Sequence, residues 1–139
     1  MMAPRRRKGK PVWIFANDAF VSIVADRDDS SRLLIRARVA GDIERVFPSA
    51  EVVESRGTDY RFRAFVHRRA LADVLAAQIR AIKYPNFKGS VEEDDRHGAY
   101  LEVWQVMNDF GRRRRAAEER AKGARNGGST RPGIYRARA

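Results

Sequence analysis

The chain has 139 residues, of which 43% are hydrophobic and 34% charged, and carries a net charge of +11. That length suits one domain with extensions, large enough to hold a core without disulfides or metal. With no cysteine, thiol catalysis, disulfides and cysteine-type zinc sites are excluded, and no apolar run approaches the roughly 20 residues of a membrane span.

Residues 1–10 carry Arg5, Arg6, Arg7, Lys8 and Lys10 with no acid, a charge of +5. With nothing to bury, this basic arm is expected to be disordered alone. The apolar run "VWIF" (12–15) and the β-branched "AFVSIVAD" (19–26) read as strands. Asn17 and Asp18 interrupt any likeness to a signal peptide. After the polar turn "RDDSS", "RLLIRARV" (32–39) alternates, with Leu33, Ile35, Ala37 and Val39 on one face and Arg32, Leu34, Arg36 and Arg38 on the other. "GDIERVF" (41–47) is expected as a short helix capped by Asp42 and stopped by Pro48. "EVVES" and "DYRFRAFVH" flank "RGT" as a hairpin. In the second strand Tyr60, Phe62, Ala64 and Val66 share one face, and Arg61, Arg63 and Phe65 the other.

The spacing of Leu71, Val74, Leu75, Ile79 and Ile82 predicts a helix over 68–84, broken by Pro85. A last helix starts within 91–97 and passes Phe110. Its apolar stripe of Tyr100, Leu101, Trp104 and Met107, and Phe87 before it, are expected to dock on the protein's own sheet, with an exposed surface for a partner helix as the alternative for the stripe. Arg112, Arg113, Arg114 and Arg115 prolong that helix, where positive charge suits the C-terminal dipole. Residues 112–139 set ten Arg and Lys against Glu118 and Glu119, a charge of +8, and end in a loose Gly-rich tail. Residues 11–111 have a net charge of −2, so the basic character belongs to the ends.

The order β-β-β-α-β-β-α-α predicts an α+β domain over 11–111: an antiparallel sheet of four to five strands with two to three helices on one face. From the third strand onward the order also admits a permuted ferredoxin-like plait, with its missing last strand drawn from the N-terminal hairpin. The second sheet face is left available for self-association, so a homodimer is one expected state.

Two groups of residues carry candidate nucleic-acid contacts. Arg36 and Arg38 with Arg61 and Arg63 would share the outward sheet face, with Leu34 and Phe65 as stacking platforms. Cations beside aromatic rings on a sheet hold single-stranded nucleic acid. The basic ends, through Arg5, Arg6, Arg7, Lys8 and the four arginines at 112–115, would neutralise phosphates with little sequence preference. His97, after Glu92, Glu93, Asp94 and Asp95, is the one weak catalytic candidate, as a general acid in a nuclease. The spacing of Asp94, Asp95 and His97 matches no metal-ligand template. No phosphate-binding glycine loop or other cofactor motif occurs, so no cofactor and no metal are expected.

The elements "WIFANDAFVSIV", "LLIRARVAGDIERVFP", "TDYRFRAFV" and "YPNFKGSV…HGAYLEVWQVM" resemble a family of small uncharacterised bacterial and phage proteins. The resemblance covers about residues 12–108 and leaves out both basic ends. It implies a shared compact fold and carries no activity with it.

The sequence leads to a cytoplasmic, non-enzymatic protein that binds RNA, DNA or a nucleoprotein complex through its basic ends and its arginine-bearing sheet, with no membrane contact. Two alternatives from other classes are a phage- or mobile-element-type regulator that docks on a host protein, and a ferredoxin-like ribonuclease.

Overall fold

The computed structural model describes residues 9–127, so Arg5, Arg6, Arg7 and Lys8 of the basic arm, and residues 128–139 of the tail, lie outside the described residues. The chain divides into two compact units, Met1–His97 and Gly98–Ala139.

The first unit is built on a five-stranded antiparallel sheet in the order β1-β2-β3-β5-β4. Its strands are β1 (Val12–Phe15), β2 (Phe20–Ala25), β3 (Arg32–Ala37), β4 (Val53–Glu54) and β5 (Phe62–His67). Three helices accompany them: α1 (Asp42–Val46), α2 (Arg68–Arg80) and α3 (Phe87–Ser90). A fourth, α4 (Asp94–Asn126), begins in this unit and supplies the described part of the second. The expected α+β class with an antiparallel sheet is therefore what the chain adopts.

Strand register sorts the side chains onto two faces, because successive residues alternate. Val12, Ile23, Ile35 and Ala64 stand in one row across β1, β2, β3 and β5, beside the rows Ala25–Leu33–Val66 and Ala37–Phe62. This face meets Ile43 and Val46 of α1 and Leu71 of α2 in a single buried cluster, with Leu75 against it. Burying such a side chain contributes about 1.5–3 kcal/mol. Gln78 Nε2 donates to the Val46 carbonyl at 2.8 Å and joins the two helices.

Several elements differ from the sequence reading. β3 ends at Ala37, and Val39 is exposed. The chain turns there into α1, whose N-cap is Gly41 at φ 89°, a left-handed backbone that glycine takes without a Cβ clash. Asp42 is therefore not the cap: it is the first helical residue and makes no side-chain cap bond. The loop before β5 is wider than a tight hairpin, since the Thr58 hydroxyl donates within it and Gly57 sits at φ 88°. That loop takes Tyr60 out of the strand's alternation and away from Phe62. α2 ends at Arg80, four residues before the expected stop, and Ile79 and Ile82 are exposed, so only the first half of its apolar stripe is buried. The short α3 was not foreseen. Its signal was Asn86, whose side chain accepts from the Gly89 N–H.

Of α4, residues Leu101, Val103, Trp104, Val106, Met107 and Phe110 are exposed, and so is Phe87 of the first unit. The expectation that this stripe is core is thus corrected. An amphipathic spacing shows that a helix has an apolar side, but not that its own chain covers it.

Candidate nucleic-acid interface

The second face of the sheet is built by the other half of each strand. Trp13, Ser22, Arg36, Arg63 and Val53 form one row across all five strands, and Val24, Leu34 and Phe65 form the next. Phe15 and Phe20 close the β1–β2 end, stacked at 4.4 Å, with Trp13 edge-on to Phe20 at 5.9 Å. Trp13, on the edge strand β1, and Phe65, beyond the reach of the short β4, remain 63% and 53% exposed.

Four arginines were expected to share this face, and the structure gathers three of them, Arg36, Arg38 and Arg63, at Tyr60 and turns Arg61 away. Arg36 and Arg63 lie directly opposite each other on β3 and β5. Arg36 Nη2 donates to the buried Ser22 hydroxyl at 3.0 Å, and its guanidinium lies 4.4 Å from the centre of the Tyr60 ring. Arg63 Nε donates to the Tyr60 carbonyl at 3.3 Å. Arg38 also rests on Tyr60, at 4.1 Å, and is joined to Asp59 through Nε at 3.3 Å and Nη2 at 2.9 Å. The hydrogen bonds it donates to Asp59 push the Arg38 guanidinium above its ordinary pKa. Arg61 turns instead to the edge strand, where Nη2 meets Glu54 at 2.6 Å and the guanidinium lies 5.3 Å from the Phe62 ring.

The charges are balanced unevenly. Arg32 is paired with Asp26 and Asp29, Arg38 with Asp59, and Arg61 with Glu54. Among the described residues no carboxylate lies within ion-pair distance of Arg36 or Arg63. Like charges placed directly opposite on adjacent strands repel, and Arg36 Nε is buried without a hydrogen-bond partner among the described residues. Two guanidiniums without carboxylate partners among the described residues, beside aromatic rings, form a site suited to an anion such as a phosphate.

Residues that sequence reasoning missed are Tyr60, Ser22, Trp13 and Phe20. The period-2 alternation of β1 and β2 already set Trp13, Phe20 and Ser22 opposite Ile14, Val21 and Ile23. Tyr60 had no such signal, because its place depends on the loop.

Nearby, the exposed turn before β3 holds Asp29 in place. The Ser31 hydroxyl at 2.6 Å and the Ser31 N–H at 2.9 Å both donate to its carboxylate and keep its pKa below the ordinary 3.8. A lowered carboxyl pKa stabilises the fold above the ordinary value, and that contribution is lost as the pH falls through the folded one. Ser31→Ala is expected to move the Asp29 titration midpoint upward in an NMR pH series.

His97 is half-buried and its N–H donates to the Glu93 carbonyl at 2.8 Å. No group of three His, Asp or Glu side chains converges as metal ligands among the described residues. The residue that matters structurally in this stretch is its neighbour. Arg96, 8% exposed, donates from Nη2 and Nη1 to the two carboxylate oxygens of Asp42 at 2.7 and 3.1 Å. Asp42 Oδ2 also accepts the Phe20 N–H at 3.0 Å, which fixes the start of β2.

In the second unit, Arg112, Arg113, Arg114 and Arg115 lie on α4, with the Arg114 guanidinium 5.1 Å from the Phe110 ring. Among the described residues no helix is long and apolar enough to cross a membrane. No protein-family model, no curated protein and no solved structure matches the chain.

Proposed function

We propose that this protein binds single-stranded RNA or DNA, alone or within a nucleoprotein complex, on the arginine- and aromatic-bearing face of its sheet. The observation that carries the reading is the opposed pair Arg36 and Arg63, without carboxylate partners among the described residues, set between Trp13, Tyr60 and Phe65. Phosphates would sit at the two guanidiniums, while bases stack on the exposed Trp13 and Phe65. The basic ends would add a sequence-independent, salt-sensitive attraction. The same reading takes the strand run β2-β3-β5-β4 as a permuted ferredoxin-like plait, with β2 in the place of a last strand, and a cytoplasmic setting for a cysteine-free chain.

Fluorescence anisotropy of the full chain with labelled single-stranded oligonucleotides tests this. The double variant Arg36→Ala, Arg63→Ala is expected to bind about tenfold to a hundredfold more weakly, the worth of about one charged hydrogen bond. Replacing all four arginines at 112–115 by glutamine should weaken RNA and DNA alike. If the sheet variant binds as the parent does and the helix variant does not, binding belongs to the ends alone and the sheet reading fails.

A further inference from the structure

α4 is 33 residues long, about 50 Å at 1.5 Å per residue. Beyond Gly98 its sequence keeps a heptad pattern. Tyr100, Val103, Met107, Phe110, Arg114, Ala117, Ala121 and Ala124 fall at the two seam positions, with Arg114 as the one interruption. Val103, Met107 and Phe110 on this seam are exposed, Met107 by 57%. Trp104 and Gly111 run beside the seam, one heptad apart.

Gly111 has no reason within the described chain. A Cβ there would meet nothing within 4 Å, and its φ is not in the left-handed region. Glycine in mid-helix costs about 1 kcal/mol against alanine. A missing side chain beside an apolar seam does make room for a second helix or for a large side chain from one.

We propose that the segment of α4 from 98 to 126 pairs with the same segment of a second copy, antiparallel, across a two-fold axis near Met107 and Phe110. Side-chain size and charge both select this arrangement. A parallel pair in register would set Arg114 against Arg114 in the seam and bring the two arginine clusters side by side. In the antiparallel pair Met107 lies level with Phe110 of the second copy and Val103 with Arg114, so an aromatic ring meets a flexible thioether and a small side chain meets a long one. Arg115 comes level with Glu102 of the second copy. The two clusters stand about 15 Å apart along the axis, beyond the Debye length of about 8 Å at physiological salt. An isologous two-fold contact of this kind closes on itself and does not propagate. The inference is independent of the nucleic-acid reading.

Sedimentation analysis of the full chain, cleared of nucleic acid by nuclease and high salt, is expected to show a dimer. Met107→Glu should weaken dimerisation by at least tenfold while the helical circular dichroism of the first unit remains. Because the chain lacks cysteine, single-cysteine variants report the geometry cleanly. Met107→Cys, close to the axis, should cross-link between copies with a short bismaleimide. Val103→Cys, roughly 16 Å from its counterpart along the axis, should not. A monomer at all concentrations, a dimer untouched by Met107→Glu, or efficient Val103→Cys cross-linking would each overturn the proposal. The last would indicate a parallel pair, and the second a dimer formed elsewhere.

Discussion

Replacing Asp42 with alanine is expected to cost about 3–5 kcal/mol, the loss typical of breaking a buried ion pair from one side. Asp42 is 1% exposed, its carboxylate is held in two hydrogen bonds by Arg96, and it accepts the Phe20 N–H as well. Removing it takes the acceptor from the Phe20 N–H and leaves the buried Arg96 guanidinium facing the more exposed Glu93 carboxylate, 3.4 Å from Nε. Arg96→Ala should cost less, because the carboxylate left behind keeps the Phe20 N–H and has Arg45 Nη1 3.6 Å away. Arg45 is itself anchored to Glu93 at 2.9 Å and to the Asp18 carbonyl at 2.8 Å, so it can lend charge without a large rearrangement. Domains of this size are stable by only about 5–15 kcal/mol, so the Asp42→Ala protein should unfold at much lower denaturant. Urea titrations of the parent and both variants give the comparison. An Asp42→Ala loss below about 1 kcal/mol, or a larger loss for Arg96→Ala, would show that the pair does not hold this unit together as described.

That pair also marks the limit of what could be read from sequence. The strands were legible because alternation is local: Ile23, Ile35 and Ala64 each sit in a pattern visible within six residues, and their rows then follow from register. The arginine face was legible for the same reason. Asp42 and Arg96 are 54 residues apart, and each has a sufficient local explanation, a helix start for the aspartate and a charged helix face for the arginine. Only the fold brings them together, and in the sequence the acid run makes His97, next to Arg96, the more conspicuous residue. Tyr60 was lost to a loop whose width is set by the hydrogen bonds of Thr58. The apolar stripe of α4 is legible as a stripe, and its periodicity fits docking on the chain's own sheet and on a partner helix alike. Periodicity reports that a face is apolar, and nothing in it names what the face meets.

Alanine at Trp13 and Phe65 should separate stacking from charge in the proposed nucleic-acid interface. Each of these side chains is more than half exposed, so its removal should disturb the fold little. Base–aromatic stacking is worth about 1–3 kcal/mol per base, so each substitution is expected to weaken single-strand binding roughly fivefold to a hundredfold. The dependence on salt should not change, because no cation is removed. Arg36→Ala, Arg63→Ala should do the opposite. For single strands the logarithm of affinity falls with that of salt by about 0.7 per phosphate neutralised, so losing two contacts should flatten the slope by about 1.4. The two sets of variants therefore move different quantities in one anisotropy series from 50 to about 200 mM salt. If Trp13→Ala and Phe65→Ala leave affinity unchanged while charge removal abolishes it, the sheet attracts polyanions without reading bases. Duplexes should then bind as well as single strands, since counterion release alone favours their higher charge density.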